Sequence, residues 1–279
     1  RMLARIEKDN MEISSYDKSH TYNLWLSLIK YVAVVAIAVG VGWGIKKIQG
    51  NTYLSNSKEK EVVYNEIHVQ KGGRANTLVL SDGTKVILNA ATTFRYPTSF
   101  GEKNRMVYLE GEAYFEVVKN AEAPFVVKTD LGDIKVLGTQ FNVKCYPEEP
   151  VIATTLVSGK VSFTNPALSP ATLRPGQQLT YKKGADRAVL RPVNVRNYVG
   201  WRENLLVFQS EPLENIMQVL SRWYDIQIIF ENDRLKQLEF SGNLDKYTDI
   251  KTFFRLFEMG ADVRFEIDDR TVYVRENRK

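Results

Sequence analysis

Very few side chains in this sequence could break bonds or hold a metal ion. The 279 residues include two histidines, His20 and His68, and one cysteine, Cys145. This composition excludes a Cys/His zinc cage, a disulfide framework and covalent haem attachment. A Ser-His-Asp triad has at most one candidate histidine, because His20 stands beside an apolar run and His68 fits better as a surface residue of a strand.

Three carboxylates come closest to the acid and base pair of a glycoside hydrolase. Glu110, Glu112 and Glu116 lie within the segment LEGEAYFE. Their spacing is typical of solvent-facing positions on two strands that flank a turn. The acidic residues near the C-terminus lack the order of a calcium loop. The sequence therefore predicts no enzyme activity, no cofactor and no metal site.

The overall composition predicts a folded chain without a nucleic-acid-binding surface. The sequence is 44% hydrophobic and 25% charged, which is ordinary for a globular protein. Lys and Arg exceed Asp and Glu by 38 to 33, and the basic residues form no dense block. A nucleic-acid-binding protein normally gathers its basic residues into a patch or stripe.

One apolar segment differs from the rest of the chain. Residues 24–45 are interrupted by only two polar side chains. As a helix this segment would be about 33 Å long, close to the hydrocarbon thickness of a bilayer. Trp25 and Trp43 would lie near its two interfaces. We expect a single transmembrane helix, with the small-residue spacing that lets membrane helices pack closely at Ala36, Gly40 and Gly44.

Other interpretations of this segment are weaker. A buried core helix would need helical surroundings that the rest of the chain lacks. A cleaved signal peptide, with an A-x-A site at residues 36–38, would not follow about thirty preceding residues. The glycines here lack the preceding strand of a dinucleotide-binding loop. Basic residues on the two sides leave the orientation open. Since the sequence starts at Arg1, we expect residues 1–23 to be the end of a longer segment.

Short β-rich runs fill residues 62–197, after a polar linker at residues 46–61. Asp82-Gly83 separates two such runs and predicts a hairpin, because both residues accept positive φ. Similar runs follow at short intervals without a helical pattern between them. The region therefore predicts a mainly-β domain with an antiparallel sandwich, barrel or roll.

Residues 198–279 change pattern and repeat themselves. Apolar residues at helical spacing, followed by apolar residues that alternate as in a strand, recur at an offset of 37 residues. The first copy contains Leu213, Ile216, Met217, Leu220, Ile226, Ile228 and Phe230, and the second contains Ile250, Phe253, Phe254, Phe257, Val263, Phe265 and Ile267. The pattern predicts a small α+β domain with duplicated helix–strand units.

Several segments resemble, in the same order, the FecR family of bacterial inner-membrane sigma-factor regulators, or anti-sigma factors. They are residues 80–89, 105–117, 123–127 and 136–143. The later features resemble the version with an extra C-terminal domain, common in Bacteroidota, and they are residues 173–177, Trp201, Phe208, Pro212 and Leu213. That extra domain is similar to the short N-terminal domain of secretins and TonB-dependent receptors.

The resemblance implies a complete topology and two partners. Residues 1–23 would be cytoplasmic and bind an extracytoplasmic-function sigma factor, and residues 24–45 would cross the inner membrane once. The linker and the domains at residues 62–197 and 198–279 would be periplasmic. In the family, a substrate-loaded outer-membrane TonB-dependent transporter contacts the regulator through its own periplasmic signalling domain, and this contact frees the sigma factor.

Two candidate sites follow for this signalling scheme. A partner strand could add to an exposed edge of the C-terminal domain. We expect that edge at one of two runs, marked by Leu205, Val207 and Gln209 or by Thr271, Tyr273 and Arg275. Some family members cleave themselves at a Gly-Thr bond, and Gly138-Thr139 matches that dipeptide. The threonine hydroxyl would attack the preceding carbonyl, whereas a simple turn at Gly138 is the alternative.

Two functions from other classes remain open. A membrane-anchored periplasmic scaffold would leave transcription unchanged when its gene is deleted. A membrane-tethered glycan-binding or hydrolytic β domain would have a groove lined by Trp and Tyr with convergent polar groups.

Overall fold

The computed structural model describes residues 33, 35–46, 62–101 and 105–277. The chain divides into two units between residues 61 and 62. In the first unit, residues 35–46 form helix α1. Within the described residues, no helix combines the length and the apolar character needed to cross a bilayer. The segment 1–23, the first part of the apolar segment and nearly all of the linker lie outside the described residues.

The second unit begins with a β domain whose strands confirm the mainly-β prediction. They are β1 (Tyr64–Val69), β2 (Asn76–Val79), β3 (Lys85–Leu88), β4 (Thr92–Pro97), β5 (Arg105–Glu116), β6 (Phe125–Thr129), β7 (Gly132–Val136), β8 (Gln140–Cys145), β9 (Val151–Ser158), β10 (Val161–Thr164), β11 (Ala171–Leu173), β12 (Gln177–Lys182) and β13 (Val189–Pro192). The predicted hairpin at Asp82-Gly83 joins β2 to β3.

The 13 strands form two layers that share one strand, β5. The first layer has the order β1-β4-β5-β6-β7-β10-β11, and the second has the order β2-β3-β5-β8-β9-β12-β13. All pairings are antiparallel except β5 with β6, which is parallel. The first half of β5 pairs in one layer and the second half in the other. One continuous strand therefore replaces the two strands and turn that the segment LEGEAYFE predicted.

The interior between the layers is apolar and aromatic. Alternate residues of β5 and β8 point inward, as the two-residue period of a strand requires. Phe115 and Phe141 stack with ring centroids 5.0 Å apart. Full burial of such rings is the main source of stability in a β sandwich. The largest fully buried side chains are Phe94, Phe115, Phe125, Phe141 and Phe163.

A short connection leads from β13 into the C-terminal domain. It contains α2 (Arg196–Val199) and a 3-10 turn (Gly200–Glu203). The domain that follows contains β14 (Leu205–Pro212), α3 (Leu213–Tyr224), β15 (Gln227–Phe230), α4 (Asp233–Lys236), β16 (Glu239–Asp245), α5 (Ile250–Gly260), β17 (Val263–Asp268) and β18 (Thr271–Glu276). In the described part of the chain these strands form a pair, β14-β16, and a sheet, β15-β18-β17.

The duplicated helix–strand units are confirmed. Leu213 begins α3 and Ile250 begins α5, at the predicted offset, and each helix precedes a strand. The apolar stripes of both helices are turned inward and form one core with Val263, Val272 and Val274. This core is separate from the core of the β domain. Each domain therefore has its own apolar interior.

Candidate functional site

A buried polar network lies where the β domain meets the C-terminal domain. At its centre is Glu112, directly after the point where β5 passes between the layers. Its two carboxylate oxygens accept hydrogen bonds from the side-chain amides of Asn89 and Asn142 at 2.8 and 2.9 Å. Asn142 lies on β8, next to β5, and the backbone N–H of Asn89 donates to the Glu112 carbonyl at 2.9 Å. The sheet pairing therefore aims both amides at one carboxylate.

Two tryptophans complete the network from the C-terminal side. The indole N–H of Trp223, on α3, donates to Asn89 Oδ1 at 3.2 Å. The indole N–H of Trp201, in the 3-10 turn, donates to Asn142 Oδ1 at 3.1 Å. An indole can only donate and an ionised carboxylate can only accept, so each asparagine between them has one possible orientation. We call these five residues the network.

Burial raises the pKa of Glu112 above its ordinary value. The positive charge of Lys144 opposes this rise, as do the hydrogen bonds from the two asparagines and the charge of Arg222. The glutamate was expected to face solvent, but it is half-buried. That expectation missed that the C-terminal domain covers this face of the second layer.

A second polar contact joins the domains at Arg222 of α3, which is only 3% exposed. Its guanidinium nitrogen lies 3.1 Å from Glu148 Oε1 and 2.9 Å from Glu149 Oε1, in the turn after β8. The guanidinium also lies 3.8 Å from the ring centre of Tyr146. Cation–π contact and ion pairing partly offset the free-energy cost of burying this charge.

A third contact involves the loop between β1 and β2. The backbone N–H of Gly72 donates to the Arg222 carbonyl at 2.8 Å. Lys246 Nζ donates to the Gly73 carbonyl at 2.9 Å and lies 5.0 Å from the ring centre of Trp223. Burial lowers the pKa of Lys246, and the charge of Arg74 adds to this effect. A small apolar cluster fills the space between these polar contacts, formed by Ala90, Tyr114, Val199, Trp201 and Trp223. We call the whole contact region the junction.

A cleft of about 550 Å³ opens beside the network. Glu112 lies on one side of it and Phe208 of β14 on the other. Arg191 donates to Gln178 Oε1 at 3.0 Å and to the Tyr198 hydroxyl at 3.1 Å. These polar groups already bond to one another, so the cleft offers a ligand few free partners. Trp201 lines it but is 5% exposed, too little for sugar stacking, and so this residue does not support the glycan-binding alternative.

The candidate cleavage dipeptide lies just before β8. Gly138 has φ +159° and its Cα approaches Lys119 so closely that a Cβ would lie 2.6 Å from the Lys119 Cα. Thr139 is buried, and its hydroxyl donates to the Lys160 carbonyl at 3.1 Å. Gly138 thus has the packing role of a glycine at a close approach. Self-cleavage stays a prediction.

The two expected docking edges differ in how many neighbouring strands they pair with. Thr271, Tyr273 and Arg275 lie on β18, which pairs with β15 on one side and β17 on the other. The prediction of an open edge there is wrong, because both sides of that strand already carry sheet hydrogen bonds. Leu205, Val207 and Gln209 lie on β14, which within the described residues pairs with β16 alone. Docking at that open edge stays a prediction.

The small-residue face of α1 is present as a helical face. Ala36, Gly40 and Gly44 lie about one turn apart along the helix. A Cβ at Gly40 or Gly44 would meet no other described atom within 4 Å. Their role in helix pairing stays a prediction.

No sequence signal pointed to the network. Trp223 and Asn89 are separated by 134 residues, and Trp201 and Asn142 by 59. A polar residue within a strand does not reveal which distant side chain covers it. Among the described residues no group of three His, Cys, Asp or Glu side chains could hold a metal ion. The side-chain contacts of the junction connect the two domains.

Comparisons with known proteins match both domains. Residues 65–162 match the family model described as FecR protein, and residues 205–274 match the model described as FecR, C-terminal. Two crystal structures, each of a protein from Parabacteroides distasonis ATCC 8503 provisionally described as an anti-sigma factor, are similar to the chain. The first is 29% identical to this chain and has a TM-score of 0.70, and the match covers 75% of this chain and 98% of the crystallised chain. The second is 28% identical, covers 77% and 99%, and has a TM-score of 0.71. No curated protein matches the chain.

Proposed function

The chain belongs to the FecR family of anti-sigma regulators, and we propose that it carries a signal across the inner membrane to an extracytoplasmic-function sigma factor. In this proposal residues 1–23 are cytoplasmic and bind the sigma factor, and residues 24–45 cross the membrane once. The residues from 46 onward are periplasmic and receive the signal. The signal comes from the periplasmic signalling domain of an outer-membrane TonB-dependent transporter.

The observation that carries this proposal is the junction. The C-terminal domain and the β domain lie in one compact unit and are joined through charged, amide and aromatic side chains. A partner that binds the C-terminal domain can therefore act on the β domain through defined contacts. A relay requires such a connection between a receiving surface and the rest of the chain.

The receiving surface is proposed to be the open edge of β14. A strand edge presents unpaired backbone groups, and an extended segment of a partner can bond to them. Gln209 on this strand is exposed, and its side chain accepts a bond from Asn197 at 3.3 Å. The transporter's signalling domain would add a strand beside β14.

A site-specific cross-linking experiment tests this surface. A photo-reactive residue at Gln209 in the full-length protein, in membranes, should cross-link to the transporter's signalling domain when the transporter's substrate is present. The same residue at Tyr273, on the doubly paired β18, is the matched control and should give no product. Cross-linking from Tyr273 but not from Gln209 would contradict docking at β14.

A second experiment tests the regulatory function itself. Full-length protein isolated from membranes should retain a sigma factor, and deletion of the gene should change transcription from promoters that depend on this sigma factor. Unchanged transcription after deletion would favour the periplasmic scaffold instead.

A further inference from the structure

The junction joins two domains that each have a complete core. The β domain is closed around its own phenylalanines, and the C-terminal domain around the stripes of α3 and α5. The apolar part of the junction is the cluster of five buried residues around Trp201 and Trp223, with seven partly buried apolar side chains packed against it. Separation of the domains would expose this cluster but would leave both cores intact. Interfaces of this kind between domains normally permit relative motion.

Separation would also expose polar groups. Glu112, Arg222 and the amides of Asn89 and Asn142 are hydrogen-bonded or ion-paired at the junction. In the separated state water would solvate the same groups. Burial of charges costs free energy that their pairing only partly offsets, so a polar junction favours a definite geometry more than it favours tight docking.

The network gives the docked geometry a single arrangement. Each asparagine donates to Glu112 and accepts from one tryptophan, so neither amide can rotate without losing both bonds. Loss of one indole N–H leaves a buried amide oxygen with fewer partners. The hydrogen bond between the other tryptophan and its asparagine then connects the domains through the network alone. Both tryptophan–asparagine pairs are therefore linked through the carboxylate of Glu112.

We propose that the C-terminal domain docks reversibly on the β domain and that the network is the catch that holds the docked state. The docked and separated states are the two states between which the signal selects. The role in signalling rests on the proposed function, whereas the docking equilibrium itself does not depend on it.

The structure supplies a place to lock the docked state. A Cβ at Gly72, in the β domain, would lie 3.4 Å from the Cβ of Asp225, in the C-terminal domain. Disulfides have Cβ–Cβ distances of about 3.5–4.5 Å. The native Cys145 would not compete, because it is buried and burial raises the pKa of its thiol to about 12. The double variant Gly72→Cys/Asp225→Cys should therefore form the bridge on oxidation.

Hydrogen exchange of the indole N–H groups then measures opening. In the full-length protein in detergent, oxidation of the double variant should slow exchange at Trp201 and Trp223 by about tenfold or more, because the bridge blocks separation. Both substituted positions have positive φ, so the same variant in its reduced form is the control for local strain. Equal exchange rates in the oxidised and reduced forms would overturn reversible docking.

A loosening variant tests the catch. Trp201→Phe replaces the indole with a smaller phenyl ring and removes the donor to Asn142, so exchange at Trp223 should speed up by about tenfold. Tyr273→Phe, which also keeps a ring and lies on β18 away from the network, should leave exchange at Trp223 unchanged. If exchange at Trp223 in Trp201→Phe equals that of the parent protein, the network is not the catch.

A reporter for the sigma factor separates this inference from the proposed function. The oxidised lock should abolish induction through the transporter, and Trp201→Phe should raise transcription without inducer or lower the inducer concentration required. If deletion of the gene changes transcription but the lock does not, the inference fails and the regulatory function stands. If deletion changes nothing, the regulatory function fails.

Discussion

At the scale of single residues, Glu112 is the titratable group at the centre of the contacts between the two domains. Its carboxylate accepts two amide hydrogen bonds at 2.8 and 2.9 Å and sits between two domains. Burial raises its pKa, and Lys144 and Arg222 are the cations that oppose this shift. Tyr146 and Glu149 are the other titratable groups nearby, since each interacts with Arg222. The protonation of this one group is therefore linked to stability.

The sign of that linkage leads to a prediction for Glu112→Gln. A raised pKa means that the folded protein binds this proton more tightly than the unfolded chain does. The contribution of Glu112 to the free energy of unfolding is therefore full below the ordinary pKa of glutamate and is lost as the pH rises through the raised pKa. The substitution should destabilise the protein more at pH 5 than at pH 7, as measured by urea unfolding at both pH values.

The size of the effect and its control follow from the network. Both oxygens of the carboxyl group can accept from an asparagine in either protonation state, whereas the amide nitrogen of glutamine cannot accept, so the variant should lose about 1–3 kcal/mol of stability at its more sensitive pH. Glu110→Gln, two residues earlier on the same strand and exposed, should change little. An equal loss at both pH values in Glu112→Gln would contradict the linkage.

Sequence patterns could place Glu112 in a strand but could not reveal its burial. Alternation within LEGEAYFE assigns the charged positions to the side away from the β-domain core, and they do lie there. What covers that side is set by Trp201 and Trp223, which approach from a different domain. Local periodicity carries no information on such contacts. Thr139 shows the same limit, because the dipeptide is visible in the sequence and its hydrogen bond to Lys160 is not.

At the scale of elements, β5 is the strand on which both layers depend. Gly111 marks the point where it passes between layers, with φ +118°. A Cβ there would lie 2.5 Å from Thr92 Oγ1 and 2.7 Å from Thr92 Cα, on the adjacent β4. The backbone of β4 cannot retreat without breaking its own pairing with β1 and β5. Only glycine fits this crossing.

Gly111→Ala should therefore destabilise the β domain strongly. Positive-φ strain and overpacking against a strand backbone together should reduce the free energy of unfolding by at least about 2 kcal/mol. Gly176→Ala is the matched control, because Gly176 also has positive φ (+81°) but a Cβ there would meet nothing within 4 Å. This variant should lose about 1 kcal/mol of the free energy of unfolding, because only the backbone conformation is strained. The urea unfolding midpoint of Gly111→Ala should be lower than that of Gly176→Ala. Equal midpoints would contradict the role of β4.

The types of elements followed from the sequence more readily than their neighbours did. The repeat at an offset of 37 residues correctly predicted α3 with β15 and α5 with β17, because amphipathic periodicity is local. The order of strands in a sheet is not local. β18 is the last strand along the described residues but lies in the middle of its sheet, and for this reason the open edge predicted there was wrong.

At the scale of the whole molecule, the junction decides whether the second unit behaves as one body or two. Arg222 is its most buried charge and contacts the turn after β8 through Glu148 and Glu149. Family resemblance in the sequence could predict both kinds of domain, whereas their docking depends on pairs of residues from distant segments. The docked arrangement therefore had to come from the structure.

Arg222→Ala should uncouple the two domains. The substitution removes an ion pair and a cation–π contact, while Glu149 keeps Lys144 at 2.8 Å and Glu148 is half exposed, so docking should weaken by about 1–3 kcal/mol. Calorimetry of the full-length protein should then show the C-terminal domain melting before the β domain, instead of a joint transition. Arg234→Ala is the control, because its bridge to Glu276 is 3.7 Å long and the arginine is 85% exposed. A single joint transition in Arg222→Ala would show that the domains do not depend on this contact.

The division of the network between two domains also limits how this protein can be recombined with its relatives. Asn89, Glu112 and Asn142 belong to one portion of the gene, and Trp201 and Trp223 to the portion that follows. A chimera that joins this β domain to a C-terminal region without indoles at those places would set two oriented amides against groups that cannot donate to them. The two domains are therefore not interchangeable modules, and a functional hybrid would have to exchange both sets of side chains together.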